Sequence, residues 1–88
     1  MTKEIEVPQG SGAIAITVTD HKYVRLLNSR GDETFRFDST GRHITAVVQA
    51  GRWTIETDGK LDKVETGQLP ERLRHRHEFD ATKPPKFG

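Results

Sequence analysis

Apolar residues alternate with small or polar residues along much of the chain, and this period of two constrains the fold more than any other feature. Ile14, Ile16 and Val18 alternate with alanine and threonine, which places the branched side chains on one face of an extended strand. Phe35 and Phe37 repeat the pattern. Since β-branched and aromatic residues favour strands, the sequence predicts an all-β fold.

Turn residues separate the apolar runs at intervals of about 8 to 12 residues, as in antiparallel sandwiches and small barrels. Asp58-Gly59 is the strongest of these signals, and it predicts a two-residue hairpin that reverses the strand of Trp53 into 60–66. No helical pattern separates the strands, which disfavours a parallel α/β arrangement. We therefore predict a small antiparallel β-sandwich or barrel of six to seven short strands.

Strand parity defines the expected core. Around Tyr23, Arg25 and Leu27 the alternation is less clean, which indicates a strand covered on both sides. The residues predicted to form the core are Ile14, Ile16, Val18, Phe35, Phe37, Ile44, Val48, Trp53 and Ile55.

The chain changes character after Gly67. Leu, Ile, Val and Phe total 20 of 88 residues, close to the composition at which disorder becomes the rule, yet 16 of the 20 lie in residues 1–67. We therefore predict an antiparallel β domain at 1–67, followed at 68–88 by a short helix over 71–79 and an extended arm. Pro70 suits the first position of that helix, and Pro84-Pro85 favours extended backbone.

Charge divides near the same boundary. Residues 1–69 carry a net charge of −1 and residues 70–88 carry +2, with the densest basic run at 72–77. A basic segment that cannot bury itself suits contact with a protein partner. The residues expected to bind this partner are Arg72, Arg74, Arg76, Phe79, Lys83 and Phe87.

The sequence offers little support for catalysis. All three serines lie in predicted turns, cysteine is absent, and His75 and His77 would point apart on a helix. We therefore expect no enzyme activity, no metal, no cofactor and no small-molecule substrate. A transmembrane span and a secretory signal peptide are not expected either, because no apolar run of sufficient length is present.

A family resemblance agrees with this interpretation. The cysteine-free β domain, with Ala50-Gly51-x-Trp53-x-Ile55 leading to Asp58-Gly59 and then a basic arm, resembles small virion accessory proteins of tailed bacteriophages. Those decoration, cement and tail-associated proteins place a β-sandwich or barrel on a shell and extend arms onto neighbouring subunits. The resemblance implies a structural role in a capsid or tail assembly or a homo-oligomer, located in the virion or the cytoplasm of a bacterial host.

Two other functions stay open at this point. The domain could be a carbohydrate- or peptide-binding β-sandwich that uses its turns and Trp53, or a small nucleic-acid-binding or inhibitory regulator that uses the basic run. A net charge of +1 and aromatic residues committed to the core disfavour nucleic acid.

Overall fold

The computed structural model describes residues 1–38 and 40–68 and the backbone of 78–81. In these parts of the chain every regular element is a β-strand, and all pairs of strands are antiparallel. The strands are β1 (Thr2–Val7), β2 (Ala13–Thr19), β3 (Val24–Leu27), β4 (Glu33–Phe37), β5 (His43–Val47), β6 (Gly51–Thr57), β7 (Lys60–Gly67) and β8 (Glu78–Ala81). The predicted all-β antiparallel class is confirmed.

The strands form two sheets packed face to face. The first sheet has the order β1-β6-β3-β4, while the second has β7, β2 and β5 with the short β8 alongside β5. Among the described strands, only β3 and β4 are neighbours both in sequence and within a sheet. Their hairpin loop is held by Asn28, whose Oδ1 accepts hydrogen bonds from the backbone N–H groups of Arg30 and Asp32. The connections β1–β2, β2–β3, β4–β5, β5–β6 and β6–β7 cross between sheets, so the two layers interlock.

The predicted hairpin at Asp58-Gly59 is wrong. β6 pairs with β1 and β3 in the first sheet, whereas β7 pairs with β2 in the second, so this turn carries the chain from one sheet to the other. Asp58 accepts hydrogen bonds from the backbone N–H groups of Lys22 and Tyr23, which ties the turn to the β2–β3 loop. These tertiary partners decide the direction of the chain after the turn.

The backbone at Gly59 lies too close to neighbouring atoms to leave room for a side chain. A Cβ at this position would overlap the carbonyl oxygen of Thr19 and the Cβ of His21. Glycine is therefore required here for close approach between two loops rather than for a positive φ.

The core lies between the sheets and is lined by alternate residues of both. Among the predicted core residues, Ile14, Ile16, Val18, Phe37, Ile44, Val48, Trp53 and Ile55 are buried, and Phe35 is half-buried against them. Val7, Val24, Leu26 and Ala46 complete the cluster.

The C-terminal predictions fall mostly outside the described residues. The helix expected over 71–79 overlaps them only at Glu78 and Phe79, where the backbone belongs to β8. The arm beyond Ala81 lies outside them entirely, so the helix and the arm stay predictions.

Candidate functional site

The outward-facing side of the first sheet carries an ordered group of charged and aromatic side chains. Tyr23, Arg25, Glu33, Arg36 and Glu56 make up this group, which we call the Tyr–Arg patch. Tyr23, Arg25, Arg36 and Glu56 have the opposite parity to the core residues, because successive side chains of a strand point to opposite faces. Glu33 joins them because the register shift between Leu26 and Leu27 brings it opposite Leu27. The three neighbouring strands β6, β3 and β4 position all of them, except that Tyr23 immediately precedes β3.

Arg25 is the centre of the Tyr–Arg patch. Its Nη2 donates to Oε2 of Glu56 over 2.9 Å, and its Nη1 lies 3.5 Å from Oε1 of Glu33. Arg25 and Glu56 are register partners on β3 and β6, so the ion pair spans directly opposite positions. The planar guanidinium can engage two carboxylates at once, and here it joins three strands.

Arg36 and Tyr23 extend the patch along the edge of the sheet. The guanidinium of Arg36 lies over the Tyr23 ring, 4.9 Å from its centroid, in cation–π geometry. Arg36 also contacts Asp38 at 2.9 Å and Glu33 at 3.4 Å, while the Tyr23 hydroxyl donates to Oε1 of Glu56 over 3.3 Å. These contacts restrict the rotamers of Arg36 and Tyr23, whose long side chains would otherwise be free to change conformation.

Ionisation in the patch follows from these contacts. The hydrogen bond from Arg25 holds the pKa of Glu56 below its ordinary value, with the neighbouring Tyr23 hydroxyl acting in the same direction. Partial burial, followed by the nearby Glu56 carboxylate, raises the pKa of Tyr23. Near neutral pH, Glu56 is therefore a carboxylate and Tyr23 a neutral phenol that donates a hydrogen bond. Each side chain thus has the charge state that is usual for its residue type at neutral pH, and such side chains suit a recognition surface.

Charge is distributed unevenly across this outer face. Glu4 and Glu6 lie on the edge strand β1, and Arg52 on β6 approaches Glu6 at 4.0 Å. Arg25 and Arg36 lie towards the opposite edge. The face thus has an acidic row along β1, while its arginines on β3 and β4 lie among the carboxylates of Glu33, Asp38 and Glu56.

A second feature is an apolar cleft between β4 and the end of β5. The rings of Phe35 and Trp53 lie 6.2 Å apart between centroids at an interplanar angle of 43°. Trp53 is 8% exposed, and its Nε1 donates to the backbone oxygen of Gln49. The cleft has a volume of about 350 Å³ and is lined by Thr34, Phe35, Val47, Val48, Gln49 and Trp53. We call it the edge cleft, because β4 is the last strand of its sheet.

Two polar recesses lie elsewhere on the molecule. In one, Thr17 Oγ1 and His43 Nδ1 are hydrogen-bonded at 3.2 Å across β2 and β5, beside Arg42 and Lys63. In the other, His21 is buried beside Asp58, and its Nε2 has no hydrogen-bond partner within the described residues. Backbone hydrogen bonds from Lys22 and then Tyr23 lower the pKa of Asp58. Asp58 therefore serves mainly as a charged acceptor that fixes the turn.

The structure separates the residues that the sequence singled out. Trp53, considered as a platform for sugar stacking, lies in the core with its indole N–H already bonded to Gln49. The predicted partner-binding side chains Arg72, Arg74, Arg76, Phe79, Lys83 and Phe87 lie outside what the structure describes. The sequence pattern did not identify the Tyr–Arg patch as a site, although the imperfect alternation at Tyr23, Arg25 and Leu27 already indicated a strand covered on both sides.

Comparisons with protein-family models, curated proteins and solved structures found no significant match. Within the described ranges, histidine and carboxylate side chains nowhere gather in a group of three that could hold a metal ion. The same ranges hold no helix of the length and apolarity that crossing a membrane requires.

Proposed function

We propose that this chain is a non-enzymatic structural module that assembles with copies of itself, as a subunit of a larger, virion-like assembly. The outer face of the first sheet provides the docking surface, and the basic C-terminal arm provides a further contact. The observation that carries the proposal is the pairing of Arg25 with Glu56 in the middle of this face, where side chains of opposite charge lie side by side on β3 and β6.

Such a face is self-complementary. Two copies related by a two-fold axis parallel to the strands would place the β1 edge of one over the β4 edge of the other. The same axis places β6 of each copy over β3 of the other, so Arg25 of each copy would face Glu56 of its partner, and an isologous interface repeats this contact twice. Complementary charge of this kind gives specificity and aligns the partners.

The residue types also suit a docking surface. Tyrosine and arginine are enriched among residues that dominate binding energy at interfaces. The ion pairs of Arg25 and the stacking of Arg36 on Tyr23 already hold these side chains in place. Less conformational entropy is therefore lost when a partner binds.

Sedimentation velocity of the full chain over a range of concentrations tests this function. We expect association that weakens as salt rises, because exposed charges are screened. Tyr23→Ala combined with Arg36→Ala should lower the association constant at least tenfold. Lys63→Ala with Glu65→Ala removes an exposed ion pair from the second sheet and serves as the control. Unchanged association in the first double variant, or a monomer at every concentration, would overturn the proposal.

A further inference from the structure

The edge cleft lies beside a strand whose outer edge is unpaired within the described part of the sheet. β4 ends the order β1-β6-β3-β4, so its outward backbone groups are available to a partner. The apolar lining of Phe35, Val48 and Trp53 lies next to that edge. An unpaired edge with an adjacent apolar pocket suits an extended segment that inserts one apolar side chain.

The charge around the cleft selects a basic segment. From Asp32 to Asp38 the chain carries the carboxylates of Asp32, Glu33 and Asp38 against one cation, Arg36. Asp32 precedes the strand that carries Thr34 and Phe35, and its side chain is exposed. A ligand with lysines close to an apolar residue would therefore meet complementary charge.

The C-terminal residues of this chain have this chemistry. Residues 82–88 read Thr-Lys-Pro-Pro-Lys-Phe-Gly, with Lys83 and Lys86 as cations and Phe87 as the single large apolar residue. Pro84 and Pro85 have no N–H to donate to a strand ladder. The contact would therefore rest on the Phe87 ring and the two lysines rather than on a full set of strand hydrogen bonds.

The direction of β8 decides which cleft this segment can reach. β8 ends at Ala81 opposite His43, the start of β5, whereas the cleft lies at the far end of β5 beside Val47. These two points are four residues, or about 13 Å, apart along the strand. To reach its own cleft the segment would have to turn back along β5 within the few residues after Ala81, whereas Pro84-Pro85 favours extended backbone.

We propose that residues 82–88 of one copy dock in the edge cleft of a second copy, with Phe87 inserted beside Phe35 and Trp53. This inference rests on the proposed assembly function, and it identifies the edge cleft as the site that binds the C-terminal arm. The cleft's volume of about 350 Å³ is ample for one aromatic side chain. The two lysines then lie near the carboxylates that flank β4.

A peptide titration tests the docking directly. The receptor is the full chain carrying Phe87→Ala, and the probe is the synthetic peptide of residues 81–88. Trp53 is the only tryptophan, so its emission reports on the cleft. We expect a saturable change in emission. Val47→Arg at the cleft should weaken binding at least tenfold, whereas Thr19→Arg, at the opposite end of β2 from the residue that pairs with Val47, should leave it unchanged. Circular dichroism confirms that both variants fold.

The negative outcomes are distinct. Absence of a saturable change, or equal binding of a peptide carrying Phe87→Ala, overturns the docking proposal. So does a concentration-independent difference in Trp53 emission between wild type and Phe87→Ala, since that would show each arm occupying its own cleft. If the peptide does not bind but association still depends on Tyr23 and Arg36, the docking fails while the proposed assembly function stands.

Discussion

Arg25 and Glu56 lie directly opposite each other on neighbouring strands, with Nη2 and Oε2 2.9 Å apart. This pair joins β3 to β6, and the contact of Arg25 with Glu33 joins β3 to β4. The ion pairs therefore connect three strands of the first sheet on the side away from the core. Because we propose the same face for assembly, we expect its electrostatics to affect both folding and association.

Acid should destabilise the protein partly through Glu56. Its folded-state pKa is lowered by Arg25, so ionised Glu56 contributes stability above its ordinary pKa of about 4.3, and this contribution is lost as pH falls through the folded-state pKa. Glu56→Gln should reduce stability at pH 7 and flatten its decline between about pH 5 and pH 2. Urea unfolding across this range measures both effects.

Glu4→Gln is the matched control for this experiment, because Glu4 lies on the same face at the edge strand without an ion pair among the described residues. Its acid dependence should follow that of the wild type. Identical acid profiles for Glu56→Gln and the wild type would show that the pair with Arg25 contributes nothing to folding.

Thr57 should be sensitive to loss of its hydroxyl. Oγ1 donates to the backbone oxygen of Tyr23 over 2.7 Å and accepts from the backbone N–H of Gly59 over 3.2 Å, in a side chain only 1% exposed. Thr57→Val keeps the shape but leaves these groups without their partner, which should cost about 1–3 kcal/mol. Chemical denaturation should show a smaller loss for Thr54→Val, on the outward-facing side of the same strand; equal losses would contradict this role.

Gly59 should tolerate no substitution. Gly59→Ala would force a Cβ into the backbone of Thr19 and the side chain of His21, with an overpacking cost of about 1–3 kcal/mol or more. Gly12→Ala is the control, since a Cβ there would have nothing within 4 Å. Thermal unfolding compares the two. A Gly59→Ala variant as stable as Gly12→Ala would mean that the two loops can separate without cost.

Local pattern was sufficient to predict the strands of residues 1–67 and most of the side chains that form the core, but not β8, which begins within the predicted helix. The alternation of Ile14, Ile16 and Val18 places them between the sheets because side-chain direction in a strand follows residue parity alone. Strand pairing depends on distant partners, which local pattern does not encode. Asp-Gly closes many two-residue hairpins, but here Asp58 bonds to the backbone of Lys22 and Tyr23, and the chain crosses to the other sheet.

The candidate site was harder to predict for the same reason. Tyr23, Arg25 and Arg36 occupy outward positions on strands that the sequence did predict, but their contacts depend on the order β6-β3-β4. The basic run at 72–77 attracted attention because its charges are contiguous in sequence. The Tyr–Arg patch is contiguous only in space.

Sedimentation equilibrium of the full chain, from the low-micromolar to the millimolar range, is the most direct test of the assembly role. The wild type should show a mass that rises with concentration, and Tyr23→Ala with Arg36→Ala should shift that rise to at least tenfold higher concentration while remaining folded. A wild-type mass that stays at the 9.9 kDa of a single chain throughout, or an unshifted rise in the double variant, would contradict assembly through this face.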